Sequence, residues 1–125
     1  MKKIINTPDA PKPIGPYNQA VMANDTLYIS GQIGIDPAAG KMVEGDVVVQ
    51  AKQVMKNLEN ILKAAGMDFS NVVKTSIFLK DMHDFPKVNE VYGGCFKSDP
   101  PARETVQVGA LPLFVDVEIS LIAVK

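Results

Sequence analysis

The 125-residue sequence has no tryptophan, one histidine, one cysteine and one arginine. The lone Cys95 permits neither a disulfide framework nor a cysteine metal cluster, and it fits a reducing compartment. The lone His83 lies in the turn sequence Lys80-Asp81-Met82-His83-Asp84, so a Ser–His–Asp or Cys–His site would rest on a surface turn. Gly31 and Gly34 are followed by neither a helix start nor a phosphate-loop lysine. No cofactor and no metal ion is therefore expected. Apolar runs stay far below membrane-spanning length, and Met1-Lys2-Lys3-Ile4-Ile5 loses its apolar character too early for a signal peptide. A net charge of −1 with no basic run argues against a nucleic-acid groove and against a membrane surface. What is present, 46% apolar and 22% charged residues, suits one soluble cytoplasmic domain spanning residues 1–125 with a real core.

Residues 1–16 carry Pro8, Pro11, Pro13 and Pro16, which predicts an extended lead-in with a short strand at 2–6. The runs 17–22 and 26–30 flank Ala23-Asn24-Asp25 and predict a β-hairpin. The glycines of Ser30-Gly31-Gln32-Ile33-Gly34 permit unusual backbone angles or close approach of another group. A turn at 36–40 precedes a short strand at 41–44. Val48, Ala51, Met55, Leu58, Leu62 and Ala65 recur at helical spacing, predicting a helix over 46–65 with Asp46 as N-cap and Gly66 just beyond its end. Gln50, Lys52, Gln53, Lys56, Asn57, Asn60 and Lys63 read as its solvated back. A strand over 72–80 should place Val73, Thr75, Ile77 and Leu79 on one face and Val72, Lys74, Ser76 and Phe78 on the other. Asp84-Phe85-Pro86 opens a second helix with Asp84 as cap. Its stripe is Phe85, Val88, Tyr92, Cys95 and Phe96, which makes Cys95 a core residue. Strands at 105–108 and 115–124 complete the chain. In the last, Val115, Val117, Ile119, Leu121 and Ala123 share an apolar face. Ile122 and Val124 lie on the opposite face beside Glu118, which suggests burial against another subunit. The order predicts an α+β fold with two helices on one side of one sheet.

Arg103 is the residue that composition singles out, because every other basic residue is lysine. Arginine offers a planar fork that holds a carboxylate by two parallel hydrogen bonds. Pro100 and Pro101 stiffen the approach, and Thr105-Val106-Gln107-Val108 starts a strand, so a rigid frame aims the side chain. Two readings stay open: an anion-holding fork, or a surface arginine paired with Glu104 or Asp99. With Glu118, Tyr17, Ser30 and Asn89, Arg103 suits a small anionic substrate and proton transfer without a metal.

The sequence resembles the RidA/YjgF family of enamine/imine deaminases. The resemblance is carried by Ile14-Gly15-Pro16-Tyr17-Asn18-Gln19-Ala20, Tyr28-Ile29-Ser30-Gly31-Gln32-Ile33-Gly34, the helix from Gln50 to Gly66, Pro101-Ala102-Arg103, Thr105-Val106-Gln107-Val108 and Val117-Glu118-Ile119. It implies a chorismate-mutase-like fold with a mixed sheet, and a homotrimer whose sheets form a central β-barrel with clefts between subunits. It further implies hydrolysis of 2-aminoacrylate-type imines to 2-keto acids and ammonia, a part in amino-acid metabolism. In that scheme Arg103 binds the carboxylate and Glu118 sets the water. Tyr17, Ser30, Gly31, Asn89 and Thr105 line the substrate site. A 2-keto acid sensor using the same inter-subunit cleft is the alternative. Glu104 would add a competing charge beside Arg103 unless strand alternation turns it away.

Overall fold

The computed structural model describes residues 1–125. One mixed sheet is flanked by two helices. Its strands are β1 (Lys2–Ile5), β2 (Ala20–Ala23), β3 (Thr26–Gln32), β6 (Val72–Leu79), β7 (Ala102–Gln107) and β8 (Val117–Val124). They lie in the order β1-β2-β3-β8-β6-β7. All neighbours are antiparallel except β6 and β7, which run parallel. A small separate hairpin, β4 (Ile35–Asp36) with β5 (Lys41–Met42), follows β3. The predicted strands are present with shifted ends: β2 begins at Ala20 rather than Tyr17, β5 stops at Met42 and β8 begins at Val117, while β3 runs on to Gln32 and β7 begins at Ala102, so Arg103 lies within a strand and not before it.

Helix α1 (Val47–Ala64) forms for the reasons its sequence states. The Asp46 carboxylate accepts from the backbone N–H groups of Val48 and Val49 at 3.0 and 3.1 Å. At the other end Gly66 takes φ +73°, and Met67 and Gly66 donate to the carbonyls of Leu62 and Lys63, both at 2.9 Å. Val54, Leu58, Ile61 and Leu62 are wholly buried against Leu27, Ile77, Val117, Ile119 and Ala123 of the sheet. Each such side chain contributes about 1.5–3 kcal/mol by leaving water.

Two expectations for α1 and for helix α2 (Phe85–Gly93) are corrected. Gln50 and Asn57 are not on a solvated back but buried. Asp84 makes no side-chain cap; a 3₁₀ turn over Met82–Asp84 runs straight into α2, and Asp81 caps that turn by accepting from the His83 N–H at 2.9 Å. Val88 and Tyr92 anchor α2 on the core, with Phe85, Cys95 and Phe96 packed beside them. The Cys95 thiol is half-buried, and burial pushes its pKa up, as suits a packed rather than a reactive thiol. His83 lies on the surface with its ring against the Asp81 carboxylate.

The faces of β6 are also corrected at one end. A register shift between Val72 and Lys74 turns Val72 into the core and Val73 out to solvent. Beyond it the alternation holds, with Thr75, Ile77 and Leu79 facing the helices. Both helices pack on one face. The other face is uncovered and bears Tyr28, Val106, Ile122 and Val124. No helix is long and apolar enough to cross a membrane.

Candidate active site

A bulge in β3 shapes the first group of polar side chains. Ile29 pairs with Leu121 and Gln32 with Ile119, so β3 holds one residue more than β8 across that interval. Both core contacts are kept, and Ser30 and Gly31 are left beside the uncovered face. Gly31 lies directly against the Glu118 side chain; a Cβ there would stand 2.5 Å from Oε2 and 2.8 Å from Cδ. The absent side chain is what makes room for the carboxylate. Ser30 donates from Oγ to the Asn18 carbonyl at 2.6 Å and from its N–H to the Gln19 carbonyl at 2.9 Å.

Buried Gln19 then ties the lead-in down. Its Nε2 donates to the carbonyls of Thr7, Ala10 and Pro11, and its Oε1 accepts from the Thr7 N–H at 2.7 Å. Tyr17 folds back so that its hydroxyl accepts from the Ile14 N–H at 3.2 Å. The result is a cleft of about 380 Å³ lined by Tyr17, Ser30, Gly31 and Glu118. Burial raises the proton affinity of the Glu118 carboxyl. Lys12, Ile14, Ile33, Ile35 and Pro112 also line this cleft and were not expected from the sequence. A wall made of ordinary apolar side chains and one lysine among twelve carries no signature in a single sequence.

The second group lies on the edge strand β7. Residues 103 and 105 pair with Thr75 and Ile77, so they face the helices. Arg103 lies across the rings of Phe85 and Tyr92, its guanidinium carbon 5.4 and 5.1 Å from their centroids. Its Nη1 donates to Asn89 Oδ1 at 2.7 Å. No carboxylate of the chain pairs with it. The surface ion pair with Glu104 or Asp99 is therefore not formed. Glu104 points to the other face, where it meets Lys74 Nζ at 2.9 Å and accepts from Ser76. Buried Tyr92, its hydroxyl 2.8 Å from Thr75 Oγ1, braces the ring beneath the guanidinium. Two residues along, Thr105 Oγ1 is enclosed without a hydrogen-bond partner. A guanidinium has five N–H donors, so most of the fork remains for an anion.

One chain does not bring the two groups together. Strand β6 separates β8 from β7. Glu118 is thus two strand spacings, about 10 Å, across the sheet from β7, level with Val106 rather than Arg103, and on the opposite face. Tyr17, Ser30, Gly31 and Glu118 gather at one cleft, and Arg103, Asn89 and Thr105 gather at the β7 edge on the other face.

The chain matches the family described as Endoribonuclease L-PSP over residues 7–125. The 2-iminobutanoate/2-iminopropanoate deaminase of Mus musculus is 55% identical over 125 residues, covering 100% of this chain and 93% of that protein. Its Homo sapiens counterpart is 52% identical over 125 residues, covering 100% and 91%. Among solved structures, RidA from an Antarctic Psychrobacter bacterium superposes with a TM-score of 0.95 at 42% identity, over 98% of this chain and 99% of that one. E. coli TdcF with bound serine superposes with a TM-score of 0.94 at 40% identity, over 98% of each. A match across nearly the whole length, in both sequence and architecture, means that the chain belongs to the Endoribonuclease L-PSP family, that of RidA and YjgF.

Proposed function

We propose that the protein is a 2-iminobutanoate/2-iminopropanoate deaminase, acting as a homotrimer whose sites lie between subunits. The observation that carries this reading is the division of the polar groups into two incomplete halves on opposite faces of one sheet. In the proposed trimer three sheets close a central barrel with the helices outside. The uncovered Tyr28, Ile122 and Val124 supply apolar area for that closure. The Arg103 edge of one subunit then completes the Glu118 cleft of the next.

The chemistry follows from the residues. Arg103 holds the substrate carboxylate with N–H donors that Asn89 leaves free, while Asn89, Phe85 and Tyr92 fix the plane of the fork. The Thr105 hydroxyl supplies a further donor beside it. Tyr17, Ser30 and Gly31 wall the cleft around the reacting carbon. Glu118 takes a proton from water as its oxygen adds to the imine carbon. The substrate enters as the protonated imine, so Glu118 returns that proton to the adduct's nitrogen and then takes the adduct's hydroxyl proton as the C–N bond breaks, leaving 2-keto acid and ammonia. A carboxyl whose proton affinity is raised by burial suits these steps. Imine hydrolysis is intrinsically easy, so positioning and modest acid–base help suffice. No metal or cofactor has a part in this scheme, and we place the reaction in cytoplasmic amino-acid metabolism.

The test is a coupled assay. A threonine dehydratase releases the imine beside the protein, and its decay is followed in the ultraviolet. Wild type should speed the decay. Arg103→Ala should lose about 3 kcal/mol of transition-state binding, roughly a hundredfold in kcat/KM. A second reading, a non-catalytic 2-keto acid sensor, draws on the serine bound to the related TdcF. Wild type that binds 2-oxobutanoate through Arg103 and leaves the decay rate unchanged would establish the sensor and remove the deaminase.

A further inference from the structure

Helix α1 carries two amides on its buried side, Gln50 at 8% exposure and Asn57 at 0%. They are seven residues apart and therefore on one stripe. Burying an amide is costly unless its polar atoms are paired. Asn57 Nδ2 donates to the carbonyls of Ile33 at 3.3 Å and Ile35 at 2.9 Å, and its Oδ1 accepts from Gln53 Nε2 at 2.9 Å. Both carbonyl partners belong to residues that line the Glu118 cleft. Between them the chain makes a tight turn, with the Ile35 N–H donating to the Ile33 carbonyl at 2.8 Å. The intervening Gly34 is pressed on the Gln50 backbone; a Cβ there would lie 3.2 Å from the Gln50 Cα and carbonyl oxygen. Gln50 holds the opposite side: it accepts from the Asp116 N–H and donates to Asp116 Oδ2, both at 2.9 Å, two residues before Glu118.

We propose that Asn57 is a positioning residue for the cleft. Its amide fixes the Ile33–Ile35 turn, and that turn is the wall against which the substrate's side chain rests. The inference relies on the cleft being the substrate site. Asn57 touches no substrate itself. It sets the depth of the pocket and hence the preference between short and long apolar side chains. A bare core role would require no particular alignment with two cleft-lining carbonyls, and an aliphatic residue would serve it at lower desolvation cost.

The experiment compares wild type with Asn57→Ala at a temperature where circular dichroism shows both fully folded. Calorimetry gives Kd for pyruvate and for 4-methyl-2-oxopentanoate. For kinetics an amino-acid oxidase with oxygen replaces the dehydratase and converts alanine and leucine to the two corresponding imines, whose decay gives kcat and KM. Asn57→Ala should change the ratio of the two Kd values, and of the two KM values, by about fivefold, the scale set by a few contacts in an apolar pocket. The kcat should stay within about twofold. A structural role alone lowers Tm and scales every rate by the same folded fraction; an unchanged ratio overturns the proposal. If Asn57→Ala does not fold, Gln53→Ala frees Asn57 Oδ1 from the helix surface and should shift the ratio in the same direction by less. An unchanged ratio there overturns the proposal as well. Wild type that binds both keto acids and hydrolyses neither imine defeats the deaminase reading alone, and the Kd ratio still decides Asn57. Wild type that binds neither defeats both.

Discussion

Within one chain Glu118 is a half-buried carboxylate that forms no salt bridge, and this has opposite consequences for stability and for activity. Desolvation raises its folded-state pKa above that of the unfolded chain. The protonated form is thus the one the fold favours. Its stabilising effect is complete below the unfolded carboxyl pKa and is lost as pH rises through the folded one. Above its folded-state pKa the ionised Glu118 therefore costs stability. Glu118→Gln, neutral at every pH, should melt above wild type at pH 7, and the gap should close as pH falls; thermal melts at several pH values measure it. In the coupled assay the same variant should lose the catalysed rate. The acid limb of the wild-type kcat should lie above the ordinary glutamate range of about 4.3. A variant melting below wild type at pH 7 would show that the ionised carboxylate is stabilised by something other than its surroundings in one chain. At this scale the sequence was partly legible. A lone arginine announces itself, and Glu118 follows from strand alternation. Asn57 and Gln50 were misread because buried and solvated amides look alike in a helical stripe, and only their partners distinguish them, two backbone carbonyls for Asn57 and Asp116 for Gln50.

Among the elements, β3 decides the site. The extra residue at Ser30-Gly31 leaves both beside Glu118 while Ile29 and Gln32 stay in the core. Gly31→Ala should disturb this locally. The new methyl would meet the Glu118 carboxyl at 2.5–2.8 Å, and a carboxyl on a flexible stem can move aside. The expected outcome is a loss of kcat of about tenfold or more with a Tm change of only a few degrees. A large fall in Tm with kcat intact would mean that the glycine serves the backbone and not the carboxylate. Of the two readings for these glycines, unusual backbone angles or close approach, the structure bears out close approach, by groups eighty-seven residues from Gly31 and sixteen from Gly34. Bulges are what the sequence concealed. A shift of one residue leaves composition and alternation almost unchanged, yet it moved Val72 inward and Val73 outward. Helix α1 was legible because cap, stripe and terminal glycine agree. At α2 the Asp84 signal was displaced, because a preceding 3₁₀ turn already supplied the helical geometry that a capped start would have begun.

For the whole molecule, the two half-sites make a prediction that no single-chain site could satisfy. In the proposed reaction Arg103→Ala lacks the anion fork and Glu118→Gln lacks the base, so each alone should retain about one hundredth of the activity or less. If every site takes Arg103 from one subunit and Glu118 from the next, subunits unfolded together in equal amounts and refolded would assemble at random. Half of the positions then offer an intact Arg103 and half of their neighbours an intact Glu118, so about one quarter of the sites are complete. Activity should therefore return to about one quarter of the wild-type value, reading each complete site as independent. Mixing the two variants without unfolding should restore nothing until subunits exchange. No activity after refolding, with the trimer confirmed by its sedimentation, would mean that both groups must come from one chain. The sheet argues against that, since β6 and the thickness of the sheet stand between Arg103 and Glu118.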